Sequence, residues 1–380
     1  MSEERKETKN VLPAEFEQTA APLLEKLCTA FGCSGHEDEV ADTVIHAAPD
    51  RMRVFTDSMQ NIYMACEPVS DHQIQSSNKT PGRDLSVSEN RVFDVLLDAH
   101  MDEVGFMVKS IHRNGTFSML PVGGWDLKNA AGACFQILST KGNPVSAIAI
   151  SRPVHFGKQE AQAAWLIADA GCSDADEVRK LGIETGCFAV PEASFSFDPA
   201  SALIRGKALD DRIGVCAELM TLRSLASQNR GQDVLGLFTA QEEVGERGAL
   251  CAVSHIRAKA AICFEGCPAD DTFADPDEIS TRLGCGPMVR VIDRSSITDH
   301  RLISRIRKVA ETEEIPLQIA ARSGGGTNAA VFQQHNIPCA VIGIPVRYAH
   351  SLSGFSNMND LYQSVRLALA LIADLQKNPL

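Results

Sequence analysis

Short apolar runs that close on acidic or imidazole residues recur along this chain, and they commit it to a fold with a buried sheet. Val92-Phe93-Asp94-Val95-Leu96-Leu97 leads into Asp98-Ala99-His100. Asp233 to Ala240 leads into Gln241-Glu242-Glu243. Ala260 to Phe264 ends at Glu265, and Cys339 to Ile344 is followed by Arg347-Tyr348-Ala349-His350. Such runs read as buried strands. Two adjacent carboxylates at the end of a buried strand raise one another's pKa, and a bound cation is the simplest compensation. Neighbours leave an extended chain on opposite sides. Glu242 and Glu243 therefore need not do the same job: one can bind metal while the other faces a reacting water.

Helical patterns separate these strands. Phe16, Leu23, Leu24, Leu27 and Phe31 recur at helical spacing, and Val40, Val44 and Ile45 follow, with Ser34 a candidate cap. Val215, Leu219, Leu222 and Leu225 mark a helix after Gly206, and Val365, Leu369 and Ile372 mark one near the C-terminus. Asp299 to Glu313 reads as a further helix, and Thr327 or Asn328 can cap the next. Strands alternating with helices imply a three-layer α/β/α domain, residues 1–105 and 199–380. Between its halves the texture changes. Asn114-Gly115 and Lys141-Gly142-Asn143 are turn signals among short β-like runs, so residues 106–198 read as an inserted, mainly β domain. Val69 to Asn90 is polar and reads as a long loop, and the residues before about Asn10 read as a frayed tail.

The bulk numbers exclude several classes. A formal net charge of −13 argues against a nucleic-acid partner. No stretch is long and apolar enough to cross a membrane. Met1 to Lys6 has no apolar core and does not read as a secretory signal. The 12 cysteines are dispersed with no Cys-x-x-Cys pair, which fits a reducing, cytoplasmic setting.

In open α/β sheets the ligand crevice lies at the carboxyl ends of the strands. His100, Asp210 (or Asp211), Glu243, Glu265 and His350 would converge there. Each alone is more simply a packed, capping or solvated residue, and it is the joint placement that points to a site. Two imidazoles and three carboxylates suit two borderline cations such as Zn or Co. The motifs His100-Met101-Asp102-Glu103-Val104-Gly105, Pro121-Val122-Gly123-Gly124-Trp125-Asp126, Lys207-Ala208-Leu209-Asp210-Asp211-Arg212, Glu242-Glu243-Val244-Gly245 and Arg347-Tyr348-Ala349-His350-Ser351 resemble the glutamyl and tetrahedral aminopeptidases. These are dinuclear metallopeptidases, some of them labelled cellulases.

That resemblance implies that His100 and Glu265 hold one metal, Glu243 and His350 the other, and that Asp210 bridges them. Zn is the expected ion, with Co or Mn as alternatives. Glu242 would be the general base and Asp102 the carboxylate that orients His100. The insert would be a dimerisation domain, with dimers building a dodecamer. Glu265 stands where many relatives have Asp, Asn328 stands where Asp is usual, and Ser351 to Phe355 departs from the usual pattern. The implied substrate is a short peptide cleaved at its N-terminus. Two other functions compete: a deacylase or deblocking hydrolase on N-acylated substrates, and an inactive assembly or binding protein.

Overall fold

A computed structural model describes residues 12–66, 91–151, 155 and 164–380. The tail expected before Asn10 and the loop expected from Val69 to Asn90 lie outside the described residues. The apolar runs form strands. β1 (Met52–Thr56), β2 (Ile62–Cys66) and β3 (Val92–His100) come first. β4 (Gly105–Ile111), β5 (Thr116–Val122), β6 (Cys134–Leu138), β7 (Pro144–Ala149), β8 (Leu166–Asp169) and β9 (Phe188–Pro191) follow and close into a barrel. β10 (Ser196–Asp198) and β11 (Leu203–Gly206) lead back to β12 (Val234–Thr239), β13 (Arg257–Pro268), β14 (Met288–Ile292), β15 (Gln318–Ala321), β16 (Cys339–Val346) and β17 (Gly354–Asn357).

The main sheet has eight strands in the order β1-β2-β12-β3-β13-β16-β14-β15. At its centre β12, β3, β13 and β16 run parallel. Alternate residues of these strands feed two separate cores, because successive side chains leave a strand on opposite faces. Val95, Leu97, Ala99, Val234, Phe238 and Ile262 pack on one face against the helices Ala14–Thr29, Asp38–Ala47, Leu209–Ser227, His300–Thr312 and Met358–Lys377. Phe93, Leu96, Leu235, Leu237 and Cys263 pack on the other, against Arg247–Ala252 and Ala329–Gln334. The chain is thus three-layer α/β/α. Full burial of one such side chain is worth about 1.5–3 kcal/mol.

Inside the barrel, Phe106, Phe117, Phe135, Ile137 and Ala168 fill a third, separate core. Both expected turns are present, with Gly115 at φ 80° and Gly142 at φ 78°.

Two local expectations need correction, and a third is narrowed to one of its alternatives. The strand read as ending at Glu265 continues to Pro268, because Gly266, Cys267 and Pro268 pair with Ile344, Pro345 and Val346 of β16. Ser34 does not cap the second helix, which begins at Asp38 behind Glu37; its hydroxyl donates to Asp102 instead. Asn328 makes no cap bond, whereas the Thr327 hydroxyl accepts from the Ala329 amide at 3.3 Å.

Candidate metal centre

β3 delivers His100 at its last residue, fully inside the fold. Asp102 lies just beyond the strand end and is also buried. Its Oδ1 sits 3.2 Å from His100 Nδ1, which leaves Nε2 facing the crevice. The same carboxylate accepts the Glu242 amide on Oδ1 at 3.0 Å, and the Glu243 amide on Oδ2 at 3.1 Å. Ser34 Oγ donates to Oδ2 at 2.6 Å. One side chain therefore fixes both the imidazole and the turn that carries the two glutamates.

That turn starts where β12 ends. Gln241 takes the left-handed conformation at φ 56°, and its amide donates to Glu37 Oε1 at 3.1 Å. The two glutamates then diverge. Glu242 Oε2 lies 4.0 Å from His100 Nε2, whereas Glu243 Oε1 lies 3.1 Å from His350 Nε2. Gly123, at φ 81° in the turn after β5, abuts this pair. A Cβ there would come within 2.7 Å of Val104 and 3.3 Å of the Glu243 Cβ.

Asp210 opens the helix that follows β11 and spans the two imidazoles. Its Oδ1 is 3.2 Å from His100 Nε2 and its Oδ2 is 3.3 Å from His350 Nε2. Asp211 accepts the His100 amide at 3.3 Å and the Gly214 amide at 3.0 Å, and its carboxylate also lies within 4.8 Å of ligand atoms of His100 and Glu265. Of the two, Asp210 is the one whose carboxylate contacts both imidazoles. Glu265, on β13, comes within 4.8 Å of ligand atoms of His100 and Asp211. His350 sits in a left-handed turn at φ 56° beyond β16. Its Nδ1 is 3.0 Å from the Gly124 carbonyl, so the turn that follows β5 orients this imidazole.

The electrostatics are those of an anionic pocket. Six carboxylates, Asp102, Asp210, Asp211, Glu242, Glu243 and Glu265, surround two imidazoles. The side chains of Asp210, Glu242 and Glu243 are only 9%, 10% and 6% exposed. Burial pushes Glu242 and Asp211 well above the ordinary carboxylate range, with neighbouring carboxylates adding to it. Burial and Asp210 push Glu265 up to about 8. Burial opposes ionisation of Asp210 too, but bonds from His100 and His350 outweigh it and hold Asp210 below its usual value. Three groups of residues bring ligand atoms within 4.8 Å of one another: His100 with Asp211 and Glu265, His100 with Glu242 and Glu243, and Asp210 with Glu243 and His350. Oxygen and imidazole donors crowded in this way fit divalent cations, which would relieve the repulsion.

All seven residues expected from the sequence come together here. Reading the sequence missed the supports. Ser34, Glu37 and the Gly124 carbonyl each bond to the site or its turn. Glu103 accepts from Lys207 and Arg212 within the fold. Asn328, which stands where Asp is usual, is buried, and its amide donates to Asp98 Oδ2 and Thr239 Oγ1.

The sequence profile described as M42 glutamyl aminopeptidase matches residues 85–367. The glutamyl aminopeptidase of Lactococcus lactis subsp. cremoris (strain MG1363) is 29% identical over 288 residues, covering 74% of this chain and 80% of its own. Among solved structures, the TET aminopeptidase from the marine sediment archaeon Thaumarchaeota archaeon SCGC AB-539-E09 has a TM-score of 0.83 at 30% identity, over 93% of this chain and 96% of that one. The TET1 peptidase of Pyrococcus horikoshii, described as able to assemble into a tetrahedron or a large octahedral shell, has a TM-score of 0.79 at 25% identity, over 93% and 99%.

Proposed function

The chain belongs to the M42 glutamyl aminopeptidase family and is an aminopeptidase; from that premise we propose that it removes N-terminal residues from short peptides at a dinuclear centre. His100 and Glu265 would hold one divalent cation and Glu243 and His350 the other, with Asp210 shared. The observation that carries this reading is the reach of Asp210, one oxygen to each imidazole. When bound, the two cations, zinc with cobalt or manganese as alternatives, would acidify a shared water.

The chain's own residues supply the rest. Glu242 is the general base, aimed at the crevice from the His100 side. A carboxylate raised by burial is a better proton acceptor near neutral pH than a solvated one. Having taken the water's proton, it can pass that proton to the departing amine. Asp102 holds the His100 ring and, through two amides, the glutamate turn, so it positions the base as well as a ligand.

Residues 1–105 and 199–380 form the catalytic domain in this reading, and residues 106–198 form the dimerisation domain. Support comes from the barrel's outer face, where Leu120, Ile148 and Ile167 are 38%, 52% and 40% exposed on the neighbouring strands β5, β7 and β8. A second copy would cover them. Dimers built this way would assemble into a dodecamer, in line with the shells described for the TET1 relative. No helix among the described residues is long and apolar enough to cross a membrane, and we assign the enzyme to the cytoplasm. Cleavage of a free-amine peptide but not its acetylated counterpart, abolished by chelation and restored by Zn, Co or Mn, is the expected behaviour. Faster cleavage of the acetylated peptide would favour a deblocking hydrolase. No cleavage of either by metal-loaded protein would favour a binding protein.

A further inference from the structure

The turn that carries His350 has a backbone that few residue types adopt unaided. Tyr348 and His350 both take the left-handed conformation, at φ 63° and 56°, which is uncommon outside glycine. Such a backbone persists only where its surroundings over-determine it. Part of that support is local. The Arg347 and Phe355 backbones exchange both N–H···O bonds, at 2.8 and 3.2 Å. Gly354 permits this approach, since a Cβ there would lie 2.7 Å from the Arg347 carbonyl. The Ser351 hydroxyl donates to the Tyr348 carbonyl at 2.6 Å.

The rest of the support reaches across to another strand. The Arg347 guanidinium forms a two-point fork on Asp271, Nε to Oδ1 at 2.8 Å and Nη2 to Oδ2 at 2.7 Å. A fork of this kind fixes orientation as well as distance. The Asp271 side chain is only 7% exposed, and its Oδ2 also accepts the Leu283 amide at 3.1 Å. The Arg347 guanidinium holds the Asp271 carboxyl below the ordinary carboxylate range, so the pair stays charged near neutral pH. Asp271 lies just beyond the end of β13, the strand of Glu265, and Arg347 directly follows β16, which leads to His350. The fork thus ties together the ends of two neighbouring strands that supply different halves of the candidate centre. Neither residue belongs to the three groups of clustered ligand atoms.

Resting on the dinuclear reading, we propose that Arg347 and Asp271 are positioning residues whose fork holds the His350 turn where its Nε2 can serve the second cation. The Gly124 carbonyl sets the rotation of the ring, and the fork sets where the turn that bears the ring stands. Loosening the fork lets the left-handed turn relax and weakens the His350 side alone, because His100 is held separately by Asp102.

The test is calorimetric titration of zinc into metal-free, full-length protein, with circular dichroism to show that each variant is folded. The unaltered protein should take up two cations. Arg347→Lys keeps the charge but cannot form the fork, and Asp271→Asn keeps the shape but loses the anion. Each should weaken one of the two binding steps about 10–100-fold, the usual effect of removing a ligand's support, and leave the other within about twofold. The two changes combined should be no worse than either alone, because they remove one contact. In a His350→Ala background, which already lacks the affected ligand, Arg347→Lys should weaken binding no further. A merely structural role would instead weaken both steps together. Equal weakening of both steps, two unmoved steps, or a further loss in the His350→Ala background would each overturn the assignment while leaving the dinuclear reading intact. Uptake of fewer than two cations by the unaltered protein would overturn the dinuclear reading and this inference with it.

Discussion

Replacing Asp102 by asparagine tests whether one buried carboxylate organises the centre. Asp102 faces four donors or ring atoms: the Ser34 hydroxyl, the Glu242 and Glu243 amides, and His100 Nδ1. An asparagine offers a carbonyl oxygen at only one of the two carboxylate positions. With its NH2 at the Oδ2 position, the Glu243 amide loses its acceptor. With its NH2 at the Oδ1 position, the Glu242 amide loses its acceptor, and the NH2 group faces His100 Nδ1. That contact favours the tautomer with the proton on Nε2, the nitrogen needed for a cation. Either way one buried N–H is orphaned, at a cost of about 1–3 kcal/mol. At 1.4 kcal/mol per factor of ten, that is about a 5- to 150-fold loss. Loss of the partner of a ligating histidine typically costs 10–100-fold in metal affinity or activity, a matching range. Metal content, kcat and the urea midpoint should therefore all fall for Asp102→Asn. Ser34→Ala removes one bond and keeps both amides satisfied, so it should be milder in all three. If Asp102→Asn kept metal affinity and kcat within about twofold of the parent, the positioning role would be wrong.

Asp210→Ala should lose both metals at once, because the bridge serves both; metal analysis finding a full complement would reject the bridge. Ile148→Asp combined with Ile167→Asp should give smaller species by light scattering, and an intact protein that is already monomeric would reject the assembly. Burial pushes Asp360 up to about 7 against bonds from the Gly284 and Gly286 amides. The native state then keeps a proton that an unfolded carboxyl near 3.9 has released, so its contribution to stability is lost as pH rises from about 4 to about 7. The Tm of Asp360→Asn relative to the parent should thus improve between pH 5 and pH 8, and a constant difference would contradict the sign.

Much of the sheet was readable because its central strands are buried on both faces. Val95 to Leu97, Val234 to Phe238 and Ile262 to Phe264 therefore appear as runs without a charged or polar side chain. The centre was readable for the same reason, since polar residues at the ends of such runs stand out. Its supports were not. Ser34 looks like any cap until Asp102, 68 positions away, is placed beside it. The orienting group on His350 Nδ1 is the backbone carbonyl of Gly124, and a carbonyl leaves no mark in residue type. The continuation of β13 to Pro268 depends on how far β16 runs alongside it. That depends on pairing, which a local pattern does not carry.

The central claim is that adjacent glutamates divide the labour, Glu243 binding metal and Glu242 moving the proton. Metal content and kcat measured on Glu242→Gln and Glu243→Gln, with circular dichroism to show that both are folded, test it most directly. Glu242→Gln should keep its metal and lose about 10²–10⁴-fold in kcat, the usual worth of a positioned general base, with KM little changed. Glu243→Gln should bind metal more weakly and recover part of its activity at high metal concentration. Mild, metal-independent effects in both variants would contradict the account, and metal loss in Glu242→Gln with retention in Glu243→Gln would reverse the two roles.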